Sequence, residues 1–131
     1  MSGVRLMIVD DDAGIREALR MLAKACGAEV LAEADNGRAA IEQAEICRPE
    51  MMLLDVSMPV MGGFRVAKYL RERLPELQII LVSQYNQKAY AEEALEFGVR
   101  GYIVKSAAAS ELAPAIHAVM DGGTFVSPSI R

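Results

Sequence analysis

The sequence has little of what several protein classes require. No apolar stretch in its 131 residues approaches the roughly 18 residues that cross a membrane. No run of lysine or arginine is present and the formal net charge is −4, so direct binding to nucleic acid is not expected. The residues from Met1 to Arg5 lack the pattern of a secretion signal, and Cys26 and Cys47 have no partner at metal-binding spacing. We therefore expect a cytoplasmic protein in which this chain itself contacts neither membrane nor DNA, with both cysteines reduced and packed.

What the chain does have is enough apolar sequence for one core. A length of 131 residues predicts about one domain, and a chain of that size buries about two-thirds of its unfolded surface. Hydrophobic residues make up 53% and charged residues 24%, which is typical of globular proteins and excludes wholesale disorder and a coiled coil. There is no internal repeat or linker, so residues 1–131 are predicted to form one domain.

Short apolar runs alternate five times with segments of helical periodicity. Strands that alternate with helices form right-handed βαβ units and a parallel sheet. Strands that are apolar throughout indicate helices on both faces of that sheet. The fold class predicted is therefore a doubly wound α/β domain. The five predicted strands lie within Leu6–Val9, Glu29–Glu33, Met51–Leu54, Ile79–Val82 and Tyr102–Val104.

Polar side chains follow four of these five strands. Asp10 and Asp11 come after the first strand, Asp55 after the third, Ser83 after the fourth and Lys105 after the fifth. In an open parallel sheet, ligands bind at the carboxyl ends of the strands. We therefore expect these side chains to converge on one edge of the sheet.

The chemistry of this set favours a divalent cation and a phosphoryl group. Three carboxylates in one pocket repel one another, and so favour a proton or a cation. Oxygen ligands without histidine or cysteine indicate a hard ion, and Mg²⁺ fits best. A lysine and a hydroxyl beside Mg²⁺ suit phosphoryl transfer, and the expected acceptor is a carboxylate.

Four motifs carry a resemblance to a known family. The chain resembles a bacterial two-component response-regulator receiver domain over essentially its whole length, and its C-terminal segment resembles the NarL/LuxR-type branch. The resemblance implies a flavodoxin-like (βα)₅ fold with strand order 2-1-3-4-5, and a DNA-binding effector domain after residue 131. The motifs are Val9–Asp12, Asp55–Pro59 with Gly62–Gly63, Val82–Ser83, and Tyr102–Lys105; the branch is indicated by Glu111–Ile116, Gly122–Gly123 and Ser127–Pro128.

The same resemblance implies how the site would work. Asp55 would be the phosphoacceptor, and the Mg²⁺ ligands would be Asp55 itself, Asp11, Asp10 through water, and the backbone carbonyl of Ser57. Lys105 would pair first with Asp55 and then with the phosphoryl group.

The remaining implied roles concern the switch. Ser83 would hydrogen-bond the phosphoryl group, and Tyr102 would change rotamer as Ser83 moves. That movement would alter the face made by the fourth helix, the fifth strand and the last helix. A local change of charge would thus switch the domain between two conformations.

The implied partners are a sensor histidine kinase and, on activation, a second copy of the chain. We expect the kinase to dock near the first helix and the site loops, with specificity in exposed positions such as Arg16, Arg20 and Ala23.

Three residues beside the site have expectations of their own. Ser106 stands where the family commonly has proline, so the Lys105–Ser106 peptide is expected to be trans, or strained if cis. Gln84 stands where the family often has a small residue, and is expected to narrow access to the acyl phosphate. Asp12 is expected to cap the first helix rather than to bind a ligand.

Competing functions fit the residues less well. A phosphatase of the haloacid dehalogenase type needs a second aspartate two residues after the nucleophile, where this chain has Ser57. An NTPase needs a G-x-x-x-x-G-K-[ST] loop, which is absent from the sequence. The open alternative is a receiver-fold interaction module that works without phosphorylation. The switch itself is expected to assist its own phosphorylation and dephosphorylation rather than to act as an enzyme.

Overall fold

The computed structural model describes residues 3–130, so Met1, Ser2 and Arg131, at the ends of the predicted domain, lie outside the described residues. Five strand–helix units follow one another, and a short strand ends the order. The elements are β1 (Arg5–Val9), α1 (Ala13–Ala25), β2 (Glu29–Ala34), α2 (Gly37–Cys47), β3 (Met51–Asp55), α3 (Gly63–Arg73), β4 (Gln78–Ser83), α4 (Lys88–Glu96), β5 (Gly101–Val104), a 3₁₀ turn (Lys105–Ala107), α5 (Ala108–Met120) and β6 (Phe125–Val126).

All neighbouring strands of the sheet are parallel, in the order β2-β1-β3-β4-β5-β6. The predicted doubly wound, flavodoxin-like class is confirmed, but the predicted count of five strands is wrong by one. β6 pairs Phe125 with Gly101 and Val126 with Tyr102. A strand of two residues carries no periodic pattern, so sequence patterning does not predict it.

The core lies in two layers, one on each face of the sheet. Alternate residues of a strand point to opposite faces, so Met7 belongs to the layer that includes α2, α3 and α4, while Ile8 belongs to the layer that includes α1 and α5. The central strands β3 and β4 are apolar and buried along almost their whole length, because helices cover both faces. In residues 3–130, no helix is long and apolar enough to span a membrane.

Two local features fix the helices that border the carboxyl edge of the sheet. Asp12 Oδ1 accepts a hydrogen bond of 3.0 Å from the Ile15 amide, which confirms its predicted role as the cap of α1. At the start of α3, a Cβ on Gly63 would lie 2.1 Å from the carbonyl oxygen of Asp55. Only glycine therefore allows α3 to begin this close to the end of β3.

The cysteines and the Lys105–Ser106 peptide test three smaller predictions. Both cysteines are free thiols, as predicted, but Cys26 is exposed at the end of α1 and does not pack. Cys47 is half-buried at the end of α2. The Lys105–Ser106 peptide is trans, since residues 3–130 contain no cis peptide bond, and the chain turns there in a single 3₁₀ turn.

Candidate functional site

Three carboxylates meet at the carboxyl ends of β1 and β3. One oxygen from each of Asp10, Asp11 and Asp55 lies within 4.8 Å of the others. Asp10 and Asp55 are buried, with 0% and 1% of their surface exposed, whereas Asp11 is exposed. β1 and β3 are adjacent strands in register at their ends, so residues 44 to 45 positions apart in the chain become neighbours. The predicted convergence of the three aspartates is present.

Lys105 supplies the positive charge of this cluster. Its Nζ lies 3.0 Å from Asp10 Oδ2 and 3.1 Å from Asp55 Oδ1. The lysine is the first residue after β5, two strands away from β3, and only 22% of its side chain is exposed. One ammonium therefore bridges two buried carboxylates from different strands.

Burial and charge act in opposite directions on these groups. Burial raises the pKa of the Asp55 carboxyl above its ordinary value and the nearby Asp10 raises it further, while Lys105 and the Ser57 amide oppose the rise. Burial by itself would lower the pKa of Lys105, but the two carboxylates outweigh it and raise that pKa. The site holds more negative charge than its single lysine neutralises.

The carboxylate oxygen of Asp55 that has no hydrogen-bond partner could bind a cation or a phosphoryl group. Asp55 Oδ1 accepts a hydrogen bond of 3.2 Å from the Ser57 amide and also contacts Lys105. Asp55 Oδ2 is buried without a hydrogen bond from any residue in 3–130. An unpartnered buried carboxylate oxygen is costly unless something else binds it. Three carboxylates and no softer donor in the cluster match the preference of a hard divalent ion.

Ser83 and Tyr102, the two predicted switch residues, meet through a third residue. Ser83 is fully buried, and its Oγ accepts a hydrogen bond of 2.9 Å from the Tyr85 amide. Tyr102 is also fully buried, and its hydroxyl donates to the Tyr85 carbonyl at 3.1 Å. Burial raises the pKa of the Tyr102 phenol. The backbone of Tyr85 therefore links the residue at the end of β4 to the centre of β5.

Sequence reasoning missed Tyr85 and the aromatic stack that it begins. Its ring stacks on Tyr90 of α4 with centroids 5.0 Å apart, and Tyr90 stacks on Phe64 of α3 at 6.1 Å. Contacts with Ser57 and Gln84 lower the pKa of the phenol of the half-buried Tyr85. Only the position of Tyr85, two residues after Ser83, could have indicated a role.

The chain is similar to proteins of a known family. The family description of the response regulator receiver domain matches residues 6–117, a range that contains every carboxylate of the cluster, Ser83 and Lys105. The chain belongs to this receiver domain family. The predicted resemblance, with its NarL/LuxR-type branch, is confirmed. Receiver domains are switches of two-component signalling and partner with sensor histidine kinases.

Three relatives illustrate the match. The chain is 31% identical to response regulator GacA of Pseudomonas viridiflava over 128 residues, covering 97% of this chain and 60% of GacA. It is 35% identical to chemotaxis protein CheY of Thermotoga maritima over 117 residues, covering 89% of this chain and 98% of CheY. A solved LuxR-family response regulator from Aurantimonas sp. SI85-9A1 superposes with a TM-score of 0.92 at 31% identity, covering 98% of this chain and 93% of that one.

The chain spans only part of several relatives. It covers 60% of the length of the GacA relative and 54% of the length of DegU from Brevibacillus brevis. The activities of those longer proteins therefore do not follow from this receiver domain alone.

The predicted docking positions on α1 of this receiver domain are only partly available. Arg16 donates a hydrogen bond of 2.7 Å to the Asp10 carbonyl, and Arg20 pairs with Glu33 at 2.7 Å. Ala23 is fully buried, so its prediction as an exposed position is wrong. Ala23 lies one turn after Leu19 on the inward face of α1, where both pack against the sheet. Gln84 is exposed, as its predicted role at the site entrance requires.

Proposed function

We propose that this receiver domain accepts a phosphoryl group on Asp55, from the phosphohistidine of a sensor kinase, in a reaction that depends on Mg²⁺. The observation that carries the proposal is the cluster itself: a buried Asp55 with one unpartnered oxygen, two further aspartates and a lysine bridging two of the three. That cluster matches the groups that phosphoryl transfer to a carboxylate needs.

In the proposed step, an oxygen of Asp55 attacks phosphorus in line. A carboxyl oxygen–phosphorus bond forms as the phosphorus–nitrogen bond of phosphohistidine breaks, and its electron pair returns to the imidazole. The burial that raises the pKa of Asp55 leaves its carboxylate poorly solvated, which favours attack.

The chain's own charges prepare this step. Asp11, Asp10 through water, Asp55 and the Ser57 carbonyl would hold Mg²⁺, which supplies charge neutralisation for the transferring phosphoryl oxygens when bound. Lys105 already stands at 3.1 Å from Asp55 Oδ1, so its ammonium can stay beside the phosphoryl group after transfer.

The proposed switch runs from Ser83 to the face formed by α4, β5 and α5. A phosphoryl group on Asp55 would accept a hydrogen bond from the Ser83 hydroxyl, whose Oγ accepts from the Tyr85 amide, and would draw Ser83 and the loop of Tyr85 towards the site. Displacing the loop of Tyr85 would free the Tyr102 hydroxyl, which donates to the carbonyl of the same residue, and unstack Tyr90 on α4. Tyr102 would then change rotamer.

The proposed output is transcription regulation. Relatives that match 97% of this chain include proteins named as transcriptional regulatory proteins. We propose that a DNA-binding effector domain follows residue 131 in the whole protein, and that activation produces a homodimer. The cytoplasmic location stays a prediction.

The direct experiment is phosphorylation by a small-molecule donor. The chain is incubated with acetyl phosphate, with and without Mg²⁺, and intact-mass spectrometry follows addition of one phosphoryl group. We expect a Mg²⁺-dependent adduct in the wild type and in the control Asp35→Asn, which alters an exposed aspartate of the β2–α2 loop. The adduct should be absent in Asp55→Asn. No adduct in the wild type would overturn the proposal and favour an interaction module that works without phosphorylation.

A further inference from the structure

One buried serine lies outside the residues that the family description matches. Ser127 follows β6 and is 2% exposed, whereas the match ends at residue 117. Its surroundings belong to the segment after α5, which the site described above does not use. A buried hydroxyl of this kind requires hydrogen-bond partners.

The Ser127 hydroxyl joins two elements that border Lys105. Its Oγ accepts a hydrogen bond of 2.9 Å from the Val104 amide and donates a short one to Glu111 Oε1. Val104 is the residue immediately before Lys105, and Glu111 lies in the first turn of α5. The 3₁₀ turn that carries Lys105 is therefore tied on both sides to a single hydroxyl.

Backbone hydrogen bonds hold Ser127 itself in place. The Ser127 amide donates to the Tyr102 carbonyl at 2.9 Å, and the Phe125 amide donates to the Arg100 carbonyl at 3.0 Å. These bonds extend the sheet by β6 and bring the serine level with the end of β5. At Val104 the serine hydroxyl takes the place that a further β6 carbonyl would have in a longer strand.

We infer that Ser127 and Glu111 form a positioning pair that holds Lys105 at its bridge between Asp10 and Asp55. The inference rests on the proposed function, because a fixed ammonium at this place serves phosphoryl transfer to Asp55. The two carboxylates lie at the ends of β1 and β3, whereas the side-chain hydrogen bonds of the pair link β5, α5 and the segment after β6. Loss of the pair therefore moves the lysine and leaves the aspartates in place.

Loss of the pair should therefore change the phosphorylation kinetics in a way that general destabilisation of the fold would not. Without Ser127 or Glu111, the rate of phosphorylation should fall by about 10-fold, since small displacements of a charge-stabilising group cost that much or more. The Mg²⁺ concentration for half-maximal rate should stay the same or decrease, because Lys105 competes with a cation for Asp10 and Asp55.

The experiment compares Ser127→Ala with Ser129→Ala, an exposed serine two residues further on. Phosphorylation by acetyl phosphate is followed by intact mass over a range of Mg²⁺ concentrations. Glu111→Ala is a second test on a partly exposed helix position, and Glu111→Gln, which keeps an acceptor for the serine hydroxyl, should retain most of the wild-type rate. An unchanged rate in Ser127→Ala and Glu111→Ala, or a rate loss accompanied by a higher Mg²⁺ requirement, overturns the inference.

A second measurement separates failure of this inference from failure of the proposed function. If the wild type forms no adduct on Asp55, the NMR signal of the Lys105 ε-methylene group, assigned by its absence in Lys105→Met, is compared without phosphodonor. A move towards the signals of solvent-exposed lysines in Ser127→Ala, but not in Ser129→Ala, supports the positioning pair. No move in either variant overturns it.

Discussion

The charged side chains at the two ends of the sheet differ in whether their polar atoms have hydrogen-bond partners. At the amino end, a groove is lined by residues that include Arg5, Arg48, Glu50 and Pro75, and both Arg5 and Glu50 have hydrogen-bond partners there. Arg5 donates through its guanidinium to the Arg48 carbonyl at 3.2 Å and through its amide to Glu50 at 2.8 Å. At the carboxyl end, Asp55 keeps a buried oxygen without a hydrogen-bond partner among residues 3–130.

In the proposed function, an unsatisfied buried charge, rather than the presence of a groove, marks the site of the chemistry. A charged side chain whose polar atoms are all bonded to its own chain contributes to folding and has no free atom to bind a ligand. A buried carboxylate with one free oxygen lowers stability, and its cost is offset only when a cation or a phosphoryl group binds.

The largest effect is expected from Lys105→Met. Removing the bridging ammonium leaves Asp10 and Asp55 buried beside each other, which should lower the free energy of unfolding by roughly 3 kcal/mol in the absence of metal. Arg5→Met at the amino end should lower it by about 1 kcal/mol or less, because Arg5 is exposed. Urea unfolding of both variants measures the difference. Equal losses would remove the distinction between the two ends.

Gly63→Ala should have the next largest effect. The added Cβ meets the Asp55 carbonyl, so α3 must move away from the end of β3, at a cost of about 2 kcal/mol. Because the movement begins at Asp55, phosphorylation should slow as well. Gly14→Ala in α1, where the Cβ would lie 3.2 Å from an Asp12 oxygen, is the matched change and should cost much less. Thermal unfolding and the phosphorylation rate are measured together.

Asp55→Asn should stabilise the metal-free domain at neutral pH, by about 1 kcal/mol. Burial raises the folded-state pKa of Asp55 above its unfolded value, so the folded protein holds this proton more tightly. The wild type should therefore lose stability relative to Asp55→Asn as the pH rises from the unfolded pKa through the raised folded pKa. The difference should be absent in more acidic solution. Urea unfolding of both proteins at a series of pH values from pH 3 to pH 8, spaced about as widely as one carboxyl titration, measures this difference in stability. A difference that does not change with pH would show that the titration of Asp55 is not its cause.

Asp12→Ala should separate capping from ligand binding. The loss of the hydrogen bond to the Ile15 amide should lower the free energy of unfolding by about 1 kcal/mol. The Mg²⁺ requirement of phosphorylation should not change, because the carboxylate cluster consists of Asp10, Asp11 and Asp55. A higher Mg²⁺ requirement would place Asp12 among the ligands instead.

The smallest effect is expected from Gln84→Ala. The exposed Gln84 directly follows Ser83 at the end of β4, and its predicted place is the entrance to the site. Removing its side chain should widen access for water and shorten the lifetime of the acyl phosphate without changing stability. Hydrolysis of the phosphorylated chain is followed by intact mass. Equal lifetimes in the variant and the wild type would refute the role.

The residues at the strand ends were predictable because topology dictates their meeting. Once the strands are parallel, the ends of β1, β3, β4 and β5 lie at one edge, whatever the distance between them in the chain. Asp12 was predictable for a local reason, since a short polar side chain before a helix satisfies its free amides. Neither prediction needs the packing of particular side chains.

The residues that were missed depend on tertiary contacts without a local pattern. Tyr85 acts through its backbone, which any residue type could provide, and Ser127 through a hydroxyl that reaches β5 from beyond α5. Arg71 looks like a solvated residue of α3 in the sequence, yet it donates to the carbonyls of Pro75 and Leu77. Such partners are set by where the chain returns, which periodicity does not report.

The two-residue strand β6 limits how far the chain can be shortened before a strand edge of the sheet is exposed. Without it, β5 would be the outermost strand, and the carbonyls of Arg100 and Tyr102 and the amide of Val104 would face solvent. Open strand edges invite pairing with other molecules. A chain shortened to end at residue 120 would keep every carboxylate of the cluster and Lys105, and would be expected to self-associate along that uncovered border.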